Sequence, residues 1–241
     1  PMPMMNVMNG GEHASWATDF QEYMIIPRSA GNIADAVRMG AEVFHNLKDV
    51  LKERDYPTTV GDEGGYAPRV REGNNEPLEC IKIAIEKSGY EPGKDISIAM
   101  DIAASEFYDK DHYVLKTNGD WKSADDLINW YSWILNNYPL VSIEDGLAES
   151  DWANWKIMTE RLGARVQLVG DDLFVTNAKL LERGIKEKCG NAILIKPNQI
   201  GTLSETIQTV KLAKSAGFKT IMSHRSGETE DVSIAHLAVG L

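Results

Sequence analysis

The chain has 241 residues, 43% of them hydrophobic and six of them tryptophan, and a formal charge of −11. That length accommodates one barrel or two smaller domains with a buried core. The acidic balance argues against a nucleic-acid surface, no apolar run approaches the ~20 residues of a membrane span, and the start PMPMMNVMNGG lacks the basic and apolar segments of a secretion signal. The two cysteines, Cys80 and Cys189, are isolated, form no metal-binding pair and fit a reduced, cytoplasmic setting.

Residues 2–11 and 20–27 are apolar, bounded by Gly-Gly and Pro, and read as two strands around a mobile loop. Residues 31–54 form the first long helix, with Ile33, Val37, Phe44, Leu47 and Leu51 spaced for one buried face. VGDEGGYAP is too glycine-rich for helix or strand. Asn75 then caps a helix that carries Pro77 in its first turn, followed by Leu78, Ile81 and Ile85. From there short apolar runs at 96–100, 140–143, 166–169, 192–195 and 220–222 alternate with helical stretches. The runs lack polar–apolar alternation, as expected of strands buried on both faces. The polar stretch 109–122 reads as a small hairpin. Ser123 with Asp126, and later Thr202 with Glu205, are capping-box signatures of helix starts. Glu228-Thr229-Glu230 reads as the start of the last helix. Two strands, two helices and five strand–helix units give an α/β fold, a TIM-like β/α barrel that stops before its eighth strand.

Each of the five runs ends at a charged or polar group, and in such barrels chemistry sits at the carboxyl ends of the strands. The groups are Asp101; Glu144 and Asp145; Asp171 and Asp172; Lys196; and His224, Arg225 and Ser226. Asp101, Glu144 and Asp171 are hard oxygen ligands suited to Mg²⁺, although any one alone fits a helix cap equally well. Strand parity lets only one of each adjacent acid pair face the barrel mouth, which leaves Asp145 and Asp172 ambiguous. Lys196 ends a very apolar run, where desolvation or a metal lowers its pKa and makes it a usable base. It could equally pair with the acids, and the two readings are compatible. Arg225, Ser226 and the amides of the following helix make an anion cradle. Glu63, beside Asp62 on the GDEGG loop, is either a general acid or part of an ordinary turn. His13 lies on the flap-like GGEHA; a lone histidine is more often structural, as are His45 and His236 in helix patterns and His112 in the hairpin.

Taken in order, GGEHA, DFQEYMI, GDEGGYAP, AMDIAASEFY, SIEDGLAESDW, GDDLFVTN, ILIKPNQIGT and SHRSGETED make the chain resemble the enolase family from Pro1 to Leu241. The resemblance implies a hydro-lyase of glycolysis and gluconeogenesis that reversibly dehydrates 2-phosphoglycerate to phosphoenolpyruvate. It implies Lys196 as the base, and Glu63, supported by Glu22, as the acid that helps the 3-hydroxyl leave. His13 and His224 correspond to active-site histidines. Gln21, Arg225 and Ser226 correspond to substrate contacts, the last two near the phosphate, and Asp101, Glu144 and Asp171 to magnesium ligands. Two Mg²⁺ ions are implied, the second held with substrate and a serine of an amino-terminal domain. That domain and the segment with the eighth strand and a further lysine are expected to lie outside residues 1–241, so this stretch alone is expected to be inactive. The implied partners are a small phosphorylated three-carbon acid and, in the full-length protein, a second copy or more. The implied setting is the cytoplasm, with a cell-surface or secreted pool possible in this family. Racemases and acid-sugar dehydratases on the same barrel need no phosphate site, so Arg225 and Ser226 favour the phosphorylated substrate.

Overall fold

The structure, a computed structural model, describes residues 1–225 and 229–241, and the backbone alone at His13. The chain divides into two units: residues 2–102 with 106–141, and residues 142–241 with 103–105 and Pro1.

In the first unit β1 (Met5–Asn9) pairs antiparallel with β2 (Glu22–Pro27), and β2 antiparallel with β3 (Ile96–Asp101). All six residues of β3 are buried, which is why its sequence shows no alternation. Helices α1 (Ile33–Glu53) and α2 (Glu76–Lys87) pack together. The polar stretch folds as a three-stranded antiparallel sheet of β4 (Tyr108–Asp109), β5 (His112–Val114) and β6 (Trp121–Lys122), before α3 (Ala124–Asn137). Helix α3 starts on the full capping box of Ser123 and Asp126.

Two expectations need correction here. Ile33 and Val37 are exposed, and the buried face of α1 runs through Ala36, Met39, Gly40 and Val43 to Leu47, Val50 and Leu51. Small residues make the contact: a Cβ on Gly40 would lie 2.2 Å from Met5 Sδ, so β1 approaches the helix where the sequence has no large apolar side chain. Asn75 makes no side-chain cap; its Oδ1 accepts instead from Trp130 Nε1 at 3.0 Å.

Buried carboxylates organise the loops of this unit. Asp19 accepts from Asn74 Nδ2 (2.8 Å), the Thr117 backbone N–H (2.9 Å) and the Thr117 hydroxyl (2.5 Å), joining the segment before β2 to two distant loops. Glu76 accepts from the Tyr56 hydroxyl (2.8 Å), the backbone N–H groups of Arg71 and Glu72 (both 2.9 Å) and Arg54 (3.3 Å). Burial alone pushes the Glu76 carboxyl up, but the donors of Glu72, Tyr56, Arg71 and Arg54 outweigh it and hold its pKa below the ordinary value. The stability this confers is present above the unfolded carboxyl pKa and is lost as pH falls through the lowered folded one. Glu76→Gln is therefore expected to destabilise the protein by about 1–3 kcal/mol at neutral pH. The gap to wild type should narrow below about pH 4, where only the wild type loses this contribution, and urea midpoints across pH would read both.

The second unit takes in the end of β7 (Leu140–Glu144), then β8 (Gln167–Gly170), β9 (Ala192–Ile195) and β10 (Lys219–Met222), paired parallel in chain order. The connections carry α4 (Trp152–Leu162), α5 (Ala178–Glu187), the single turn α6 (Pro197–Ile200) and α7 (Leu203–Ser215), the last capped by Thr202 as its sequence predicts. Helix α8 (Ser233–Gly240) corrects another expectation, since Thr229 to Val232 precede it and the helix does not start at 229–230. Asp231 governs that start, its carboxylate accepting the Ser233 N–H at 2.8 Å. Glu228 itself lies outside the described residues.

The α/β class and the order of strands and helices are as the sequence predicts. Cys80 and Cys189 are free and buried, and burial pushes each thiol up to about 11, so neither is a reactive thiolate. Among the described residues no helix is long and apolar enough to cross a membrane.

Candidate functional site

The second unit gathers charge at its strand ends. Asp145 follows β7, Asp171 and Asp172 follow β8, and Lys196 follows β9. Ligand atoms of the three aspartates lie within 4.8 Å of one another. Lys196 Nζ donates to Asp171 Oδ2 at 2.5 Å, while Asp171 Oδ1 is buried without a hydrogen-bond partner. The Asp172 carboxyl is pushed up by burial and then by Asp171 and Glu149, against the pull of Lys196 and Arg225. Among the described residues, Asp145, Asp171, Asp172 and Glu149 here stand against Lys196 and Arg225. Clustered hard oxygens, one of them buried and without a donor, fit a divalent cation such as Mg²⁺.

Packing holds these groups in place. Residues 171–177 leave β8 as a tight turn in which Val175 and Thr176 take left-handed backbone angles (φ 41° and 57°), unfavourable for β-branched residues. Phe174 anchors the turn, fully buried against Trp152 and Phe218. Its ring fills space that side chains at Gly170 and Gly184 would occupy, since a Cβ there would lie 2.5 and 2.4 Å away. The turn in turn sets Lys196, whose backbone N–H donates to the Thr176 hydroxyl at 2.8 Å.

In the first unit Gln21 and Asp101 meet twice: the Gln21 backbone N–H donates to the Asp101 carbonyl, and its Nε2 to Asp101 Oδ2, both at 3.0 Å. Asp101 also faces half-buried Glu22 across the β2–β3 ladder. Glu63 is half-buried on the glycine loop and accepts from Asn6 Nδ2 at 3.4 Å. That loop is fastened to β1, with the Gly65 N–H donating to Asn9 Oδ1 at 2.9 Å. A Cβ at Gly65 would meet the Met8 backbone nitrogen at 2.8 Å, so only glycine allows this approach.

Glu144 is buried at the end of β7 but does not belong to the aspartate group. His224 and Arg225 are exposed beyond β10. Ser226 and the side chain of His13 lie outside the described residues. Asp145, Asp172, Thr176, Asn6 and Asn9 are what residue-type reasoning missed or left open. The acid doublets at 144–145 and 171–172 were a signal for the first two; a threonine or asparagine in a strand or turn gives none.

Thr176→Val keeps the shape of the turn and removes the acceptor of the Lys196 N–H. Leaving that donor unpaired is expected to cost about 1–3 kcal/mol, read as a lower denaturant midpoint at unchanged slope.

Among known protein families, the chain matches the description "Enolase, C-terminal TIM barrel domain" over residues 1–241. The match agrees with the parallel strands and alternating helices of the second unit. The chain therefore belongs to the enolase family, as a C-terminal TIM barrel domain of that family.

Proposed function

We propose that the protein to which this chain belongs is a magnesium-dependent hydro-lyase converting 2-phosphoglycerate to phosphoenolpyruvate. The observation that carries the reading is the divided Asp171 carboxylate: one oxygen receives the Lys196 ammonium, and the other is buried with no hydrogen-bond partner. A base and an oxygen suited to a cation thus stand on neighbouring parallel strands.

The chemical difficulty is the weak acidity of a proton beside a carboxylate. Lys196 takes this proton as its neutral amine, the form that a cation held at Asp171 would favour by lowering the lysine pKa. A magnesium ion held by Asp101, Glu144 and Asp171 would supply positive charge where negative charge develops on the substrate carboxylate. Glu63 gives a proton to the departing 3-hydroxyl, with Glu22 supporting it. Arg225 and Ser226 take the phosphate, which distinguishes this substrate from the unphosphorylated acids of related barrels. The enolase resemblance assigns Gln21, His13 and His224 to substrate contacts and proton handling, and Asp101, Glu144 and Asp171 to the metal. It also favours a cytoplasmic homo-oligomer. The use of a lysine base with Mg²⁺ is a general pattern of enolase-type sites.

Lys196→Ala in the full-length natural protein is expected to lower kcat about 10²- to 10⁴-fold, followed by the absorbance of phosphoenolpyruvate. Turnover retained by this variant would remove Lys196 from the role. Saturating Mg²⁺, at about a hundred times its Kd, should stabilise the wild type by about 2.7 kcal/mol. Asp171→Asn should abolish that gain in a thermal melt without substrate.

A further inference from the structure

We propose that Asp145 is a positioning residue that fixes the Asp171–Asp172 pair through its backbone. Asp145 Oδ1 accepts the Asp171 N–H at 3.0 Å, and Oδ2 accepts the Asp172 N–H at 2.8 Å. One carboxylate therefore grips two successive peptide groups at the point where the chain leaves β8.

The clamp is itself held from both sides. The Asp145 N–H donates to the Val169 carbonyl at 3.0 Å, and its own carbonyl accepts the Ala104 N–H at 3.0 Å. Asp145 is 3% exposed, so its two backbone donors replace lost water. Its φ of 40° lies in the left-handed region, which aspartate tolerates better than most residues but which still carries strain. The strained angle accompanies a carboxylate facing the adjacent strand end. Glu144, one residue earlier, pairs with Val169 in the regular ladder.

The consequence is geometric. Asp171 meets the Lys196 ammonium with Oδ2 and has Oδ1 without a donor, so rotation or drift of the 171–172 peptides would displace both. Groups that orient metal ligands without binding the metal commonly contribute 10- to 100-fold to its affinity. Asp145 is close enough to be a ligand as well; the backbone bonds of both its oxygens are what give it the orienting role proposed here.

The metal arm of the test rests on the proposed function; the amide arm does not. In the metal-free full-length protein, the Asp171 and Asp172 amides lie outside the strand ladder yet should exchange slowly with deuterium, as seen by NMR. Rapid exchange of both in the wild type would overturn the clamp without any variant. In Asp145→Asn one acceptor is replaced by a donor, so exchange of at least one of these amides should accelerate and Mn²⁺ affinity should fall about 10- to 100-fold. Asp145→Glu retains two acceptor oxygens and should exchange more slowly than Asp145→Asn. Weakened Mn²⁺ binding with both amides still protected in Asp145→Asn would make Asp145 a ligand and overturn the positioning role. A wild type with protected amides that binds no Mn²⁺ would defeat the magnesium reading and leave the clamp standing.

Discussion

A carboxylate removed from water needs donors, and this chain supplies them largely from its own backbone. Asp19 takes the N–H of Thr117, Glu76 those of Arg71 and Glu72, and Asp145 those of Asp171 and Asp172. The Asp19 and Asp145 bonds tie segments distant in sequence, while those of Glu76 close the loop just before its own helix, so the same interaction satisfies the charge and fixes the loop. Asp171 departs from the pattern. Its Oδ2 has a lysine ammonium and its Oδ1 has no hydrogen-bond partner. Beside Asp19, Glu76 and Asp145, whose carboxylates hold backbone donors, such an oxygen offers a place for another positive group.

Strain collects at the same strand ends. Asp145, Val175 and Thr176 follow β7 and β8 with positive φ, angles that cost of order 1–3 kcal/mol each where no glycine relieves them. Packing over-determines them. Phe174 is held among glycines and two aromatic rings, the Thr176 carbonyl accepts the Thr209 hydroxyl at 3.0 Å, and Asp145 is bonded through both backbone groups. The apolar contacts of one residue in the turn thus offset the backbone cost of its neighbours and keep the charged groups in register.

The periodic features were legible in the sequence because period and burial share a cause. Strands buried on both faces read as unbroken apolar runs, and the charged residue ending each run marks where the chain leaves the sheet. The buried stripe of α1 was only half legible, because its first contacts go through Ala36 and Gly40, small residues that hydrophobic spacing overlooks. Asn75 stood at a cap position, but its side chain found Trp130, a partner 55 residues away that no local rule anticipates. The parity argument for the acid doublets assumed regular strands past their ends. Asp145 breaks that regularity with its positive φ, so its direction follows from the turn and not from alternation.

Of the two sequence readings of Lys196, a base or a partner for the acids, the pairing is what the structure shows. Pairing occupies Oδ2 of Asp171 and does not use Oδ1. A lysine on an apolar strand end needs a counter-charge to be buried at all, and that counter-charge also orients its amine. Full neutralisation of the cluster by cationic side chains would make it a structural ion-pair network. The aspartates and Glu149 exceed Lys196 and Arg225 in charge, so the chain stops short of that point. Under the proposed function that excess draws a further cation, while the hydrogen bonds of Asp145 hold the peptides of Asp171 and Asp172.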